Sequence, residues 1–220
     1  MKKLLTITAG LGLMAVLFSA SRGPAYQTGG AFEGTIDFIQ FNGVDTTYYK
    51  YYIKGNHIKI DNVDPKTNNI EGNFLIDLST KKMTALSPPK KIYFDQPSGP
   101  AVQPAGKPAV SKTGKTKTIN GYKCNEYLVL DQDEGLKIHF WLASGHFDFF
   151  GDMLKILNRK DKFSEYFLVI TDTKGMFPML AEEEDLAGNP KGFMKAVKMD
   201  KGAVAADAFE IPKGYKEFKK

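Results

Sequence analysis

The chain has 220 residues, enough for one domain with a sizeable core. Lys and Arg number 30 against 25 Asp and Glu, a formal charge of +5, but the lysines are interleaved with acids and the only arginines are Arg22 and Arg159. A nucleic-acid binder needs a clustered basic face, so that class is excluded; what remains is a weak bias toward anionic partners such as lipid head groups.

Lys2 and Lys3 open the chain, Leu4 to Ala20 carries no charge, and Ser19-Ala20-Ser21 is a run of small residues. Basic start, apolar middle and small-residue end are the order of a secretory signal peptide. Residues 1–21 are therefore expected to be removed, with the cut after Ala20 or Ser21. No cysteine lies near the cut for lipidation, and no membrane span is expected after it, which places the mature chain in solution in the periplasm. Residues 22–31 read as a flexible Gly-rich tether, and 32–220 as a single domain.

From Phe32 the pattern is that of strands. Phe32–Phe41 carries Ile36, Phe38 and Ile39; Thr46–Lys54 is dense in tyrosine; Gly55-Asn56 turns the chain; His57–Asp61 alternates with period two. Asn73–Leu78 is expected to pair with Lys82–Leu86, and Lys91–Phe94 forms a further short strand. Pro97, Pro100, Pro104 and Pro108 mark residues 95–113 as an extended or mobile loop outside the core. Asn120-Gly121 is a type I′ hairpin signal, since both central residues need φ > 0; Tyr122–Leu130 returns, and Leu136–Leu142, with the lone Trp141, pairs back. Over His146–Asn158 the period changes. Phe147, Phe150, Leu154 and Leu157 share a helical face that Phe149, Met153 and Ile156 broaden, so this helix must be buried by something. Phe163–Thr171, Gly175–Ala181 and Phe193–Met199 read as strands, Glu182–Pro190 as an acidic turn, and Ala205–Phe209 as a short helical turn. The expected fold is mainly β (α+β): some ten antiparallel strands in a strongly curved half-barrel sheet wrapped around one apolar helix.

No catalytic or metal constellation stands out. Ala109–Thr116 fits a loosened phosphate-binding loop, but a Pro-rich segment precedes it and a hairpin strand follows, which is the wrong context. His57, His139 and His146 have no zinc-site spacing. Glu182-Glu183-Glu184-Asp185 lacks the spaced ligands of a calcium loop, and no Gly-x-Ser-x-Gly turn occurs. A non-enzymatic protein without a cofactor is expected. The lone Cys124 cannot form an internal disulfide and reads as a small buried hydrophobe.

Thr118-Ile119-Asn120-Gly121-Tyr122-Lys123-Cys124-Asn125-Glu126-Tyr127 resembles the x-I-x-G-Y-x-C-x-x-Y hairpin of an uncharacterised family of exported bacterial proteins related to the LolA/LolB-like lipoprotein-carrier superfamily. Phe209-Glu210-Ile211-Pro212-Lys213-Gly214-Tyr215 is similar to that superfamily's terminal F-x-x-P-x-G-[YF] turn, and Phe177-Pro178-Met179 to its penultimate region. The resemblance covers roughly residues 32–218. It implies an antiparallel half-barrel over helices with a cavity for acyl chains. The carriers' arginine on an early barrel strand has no counterpart here. On this basis a lipid, acyl chain or acylated ligand is the expected partner, with a role in the cell envelope. The candidate lining of the apolar cleft is Tyr49, Tyr51, Ile53, Trp141, Phe150, Met153 and Leu157. The alternative is a structural or interaction protein of the envelope whose core is simply filled.

Overall fold

The computed structural model describes residues 30–97, 99–100 and 102–219. The expected signal peptide and all but the end of the tether lie outside the described residues. Twelve strands form one sheet: β1 Gly34–Phe41, β2 Thr46–Lys54, β3 His57–Val63, β4 Ile70–Asp77, β5 Lys82–Ser87, β6 Ile92–Gln96, β7 Ala109–Ile119, β8 Tyr122–Asp131, β9 Leu136–Ser144, β10 Met176–Asp185, β11 Pro190–Lys201 and β12 Lys216–Glu217. The spatial order is β12-β6-β5-β4-β3-β2-β1-β11-β10-β9-β8-β7. The architecture is thus two hairpin meanders, β1 to β6 and β7 to β11, joined where β1 pairs antiparallel with β11. Only the β12–β6 pair is parallel. Two helices, α1 Phe149–Leu157 and α2 Lys162–Phe167, connect β9 to β10 and cover one face of the curved sheet.

Alternation decides what each strand buries. In β1, Gly34, Ile36 and Phe38 point inward; in β2, Tyr51 and Ile53 do so, while Tyr52 faces Thr35 on the other side. In β9, Ile138, Phe140 and Leu142 face the helices, with the Phe140 ring edge-on to Phe167 of α2 at 6.1 Å. Asn120 (φ 49°) and Gly121 (φ 78°) make the tight turn between the paired Ile119 and Tyr122. The tip reaches across the sheet, where the Asn120 Nδ2 donates to the Ala196 carbonyl at 2.7 Å. That carbonyl lies beyond the last β10–β11 pair, Leu180 opposite Lys195.

α1 buries Phe149, Phe150, Met153, Leu154, Ile156 and Leu157, as its spacing requires, and ends at Asn158 in the left-handed conformation. The aromatic core gathers on Phe177, whose ring lies 4.7 Å from that of Phe150, 5.3 Å from Phe147 and 6.2 Å from Phe38.

The structure departs from the sequence-based expectation at four places. Phe163–Thr171 is not a strand: α2 and a following turn occupy it. Asp161 caps α2 by accepting from the Ser164 N–H at 3.0 Å, and Phe163, Tyr166, Phe167 and Ile170 are buried at helical spacing. The cover is therefore two helices, not one. The acidic turn is shorter than expected, because Glu182–Asp185 continue β10 against lysine-bearing neighbours and the chain turns at Leu186–Asn189. Residues 95–113 are irregular only in their middle, since Gln96 ends β6 and Ala109 begins β7. The phosphate-loop-like segment is thus an edge strand. Nor is the loop detached: Val102 N–H donates to Asn158 Oδ1 at 2.8 Å, at the end of α1.

Candidate functional site

The helix-facing side of the sheet carries a recess where α1 and α2 meet it. Phe38, Tyr51, Phe150, Leu154, Leu157, Phe163 and Met194 form its apolar wall, and Gln40, Arg159, Asp161 and Ser164 its polar rim. Its volume is about 20 Å³, room for about one water. Burial raises the Tyr51 phenol far above its ordinary value against the lowering field of Arg159, so Tyr51 is a neutral wall residue.

The rim is built by the link between the helices. Asn158 turns the chain out of α1, and Arg159 follows with its guanidinium 4.8 Å from the Tyr49 ring centroid and 5.9 Å from that of Phe74. Arg159 is half-buried; burial works against its charge, but Tyr51, Tyr49 and Asp161 outweigh that, and it stays protonated. Asp161 Oδ1 accepts from Gln40 Nε2 at 3.3 Å and from the Ser164 N–H, while Oδ2 accepts from the Ser164 hydroxyl at 2.8 Å.

Of the seven candidate residues, Tyr51, Phe150 and Leu157 line this recess and Tyr49 sits at its mouth beneath Arg159. Ile53 and Met153 are fully buried in the packed core beside it. Trp141 corrects the expectation. It stands opposite Glu126 and Leu180, on the face away from Phe140 and the helices, with the Lys117 ammonium 3.8 Å from its ring. Adjacent strand residues point to opposite faces, so Trp141 cannot share a cleft with Phe140's neighbours.

That outer face holds a groove of about 560 Å³, lined in part by Glu126, His139, Leu180, Glu184, Phe193 and Lys195. His139 Nδ1 lies 2.9 Å from Glu126 Oε1 and its Nε2 3.4 Å from Glu184 Oε1, so the imidazole bridges β8, β9 and β10. Glu126 is buried, which pushes its pKa up, but hydrogen bonds from Thr113, His139 and Lys115 hold it below the ordinary carboxylate value. Glu184 is also held low, first by Lys137 and then by His139. Sequence reasoning found no site spacing among the histidines and missed this constellation. Its members come from three strands, and the available signal was alternation: His139 and Trp141 share a face with Glu126, one hairpin turn away. The arrangement pins the strands together; the Thr113 hydroxyl that could serve as a nucleophile is bonded to Glu126 rather than to His139.

No curated protein matches this sequence. Among solved structures, an uncharacterised conserved protein of Thermus thermophilus is similar over 86% of this chain and 91% of its own, at 8% identity and a TM-score of 0.49. A DUF1329 family protein of Desulfovibrio piger is similar over 81% of this chain and 90% of its own, at 11% identity and a TM-score of 0.35. A domain of Vibrio parahaemolyticus named for outer membrane lipoprotein sorting covers 80% of this chain and 87% of its own, at 14% identity and a TM-score of 0.31. A family model described as a domain of unknown function, DUF4412, matches residues 32–215, nearly the whole of the strand-and-helix unit described above. The chain belongs to the DUF4412 family.

Proposed function

We propose that this is a non-enzymatic protein of the bacterial cell envelope that holds an apolar ligand, an acyl chain first of all, between its curved sheet and its helical cover. The observation that carries the reading is the recess at the helix seam: its walls are aromatic and aliphatic, and its rim is polar instead of sealed. The cover is slight, with nine residues in α1 and six in α2. Asn158–Lys160 between them is the natural hinge. Each methylene buried contributes about 0.8 kcal/mol, so a long acyl chain has the means to lift the cover and occupy the space. The resemblance of the Ile119–Tyr127 hairpin and the terminal turn to the carrier superfamily points the same way, as does the signal-like start for an exported, periplasmic location. No helix among the described residues is long and apolar enough to cross a membrane.

The second reading is a filled core serving structure or protein contact. The 20 Å³ volume favours it, because nothing larger than a water fits without movement. Native mass spectrometry of protein purified from a bacterial host, with fluorescent fatty-acid titration and thermal melts, separates the two. Retained lipid, saturable binding and a ligand-dependent rise in melting temperature support the carrier reading. Absence of binding to fatty acids, phospholipids and acylated peptides leaves the filled core. N-terminal sequencing of exported material tests the location, with a first residue between Ser21 and Gly23 expected.

A further inference from the structure

We propose that Arg159 recognises the anionic headgroup, carboxylate or phosphate, of an acyl amphiphile whose tail occupies the space behind it. The inference rests on the apolar-ligand reading above and names the class of ligand that site would take.

Arg159 is the only arginine among the described residues, and it stands on the rim of the recess where α1 and α2 meet the sheet. Its guanidinium is half-buried over the rings of Tyr49 and Phe74. A guanidinium stacked by its face keeps its N–H edge for a planar or tetrahedral anion, the geometry in which Arg surpasses Lys. No carboxylate completes that edge: Arg159 takes part in none of the ion pairs found among the described residues, although lysines across the sheet do. Asp161, two residues on, has both oxygens occupied by Gln40 and Ser164. Tyr49 is its hydrogen-bonding neighbour. A permanent positive charge, partly withdrawn from water, acted on by Asp161 only through its field and with no directly paired carboxylate, beside an apolar wall of Tyr51, Phe150 and Leu157, is the complement of an amphiphile with one anionic end. The short link between α1 and α2 carries the arginine, so headgroup capture and movement of the cover involve the same segment.

The test compares probes that share one chain and differ at the head: hexadecanoate, hexadecyl phosphate, hexadecanol, and inorganic phosphate alone. Isothermal titration on the mature protein is expected to show the two anionic amphiphiles bound about ten-fold or more tighter than the alcohol, the size of one charge-assisted hydrogen-bonded pair. Arg159→Gln is expected to bring all three chains within about two-fold of one another while hexadecanol affinity stays put, and Arg159→Lys to keep part of the preference. The preference of the wild-type protein needs no variant, so it stands as a test even where Arg159→Gln folds poorly. Equal binding of alcohol and acid, or a preference that survives Arg159→Gln, overturns the headgroup role and leaves the apolar-ligand reading intact. Inorganic phosphate binding as tightly as hexadecyl phosphate also overturns it, as a plain anion site. Binding of none of the chains overturns both.

Discussion

Phe177 on β10 is fully buried, and the rings of Phe38, Phe147, Phe149 and Phe150 surround it. It therefore ties β1, β10 and the start of α1 into one cluster. Truncating it to alanine removes the transfer free energy of a phenyl group and leaves a void among four surrounding rings that cannot collapse into it. Such changes cost about 3–5 kcal/mol. The edge-to-face contact with Phe150, whose ring stands at 66° to that of Phe177, adds a share of the roughly 0.5–1.5 kcal/mol typical of an aromatic pair. Phe177→Ala should thus lower stability by about 4 kcal/mol, which for a domain of this size is a fall of roughly 8–16 °C in melting temperature. Phe177→Leu keeps most of the volume and should cost under about 1.5 kcal/mol plus the lost ring contacts. Urea unfolding followed by tryptophan fluorescence and circular dichroism gives both values, with an unchanged slope showing that stability changed without a change in the surface exposed on unfolding. A loss below about 1.5 kcal/mol for the alanine variant, at constant slope, would refute the claim that this cluster is tightly packed and would favour an internal space able to take a ligand as built.

Other expectations follow from single residues. Glu126 has a folded pKa below its ordinary 4.5, so the unfolded chain takes up the proton first on acidification; its stabilisation is complete above the ordinary value and is lost as the pH falls through the folded one. Glu126→Gln should flatten the loss of stability between about pH 5 and pH 3, and an unchanged acid slope would count against it. Cys124 is buried and its thiol is pushed up to about 11 by burial, so a bulky thiol reagent should label the native protein at least about a hundred-fold more slowly than the urea-unfolded chain. Rapid native labelling would show that β8 opens. Gly34 has φ 146° and a Cβ there would meet the Asp200 carbonyl oxygen of β11 at 2.0 Å, so Gly34→Ala should destabilise by about 2 kcal/mol or more. A neutral effect in thermal melts would mean that the β1–β11 seam is loose.

Much of this fold was legible because strands advertise themselves locally. The tyrosines of β2 lie at the expected positions, Asn120-Gly121 turns where its φ values demand, and the apolar circumference of α1 predicts its burial. What escaped the sequence was decided by context. Phe163–Ile170 contains β-forming aromatics, and only the Asp161 cap, a three-residue relation to Ser164, converts it into helix. The run Glu182–Asp185 looked like a solvated tip, yet Lys137, Lys162 and Lys191 from neighbouring elements make it strand. The candidate lining was half visible for the same reason. Tyr51, Phe150 and Leu157 follow from alternation and helical spacing, but Trp141 has the opposite parity to Phe140 within its strand. Arg159 was invisible as a site residue because its partners, Tyr49 and Phe74, belong to strands far away in the chain.

The pairing of β1 with β11, in which Gly34 stands opposite Lys201, also sets an order of events. Every other long antiparallel contact in the sheet joins strands next to each other in sequence, apart from the helical excursion between β9 and β10. The two meanders can therefore form by local closure, whereas the seam between them must wait until nearly the whole polypeptide is available. Long-range closures of this kind slow folding, since the entropy of the loop is lost before the contacts reward it. A chain that emerges N-terminus first presents β1 early, and one edge of that strand stays unpaired until β11 arrives. During that interval β1, with Ile36 and Phe38 along it, is the segment most in need of a chaperone or of rapid completion of synthesis.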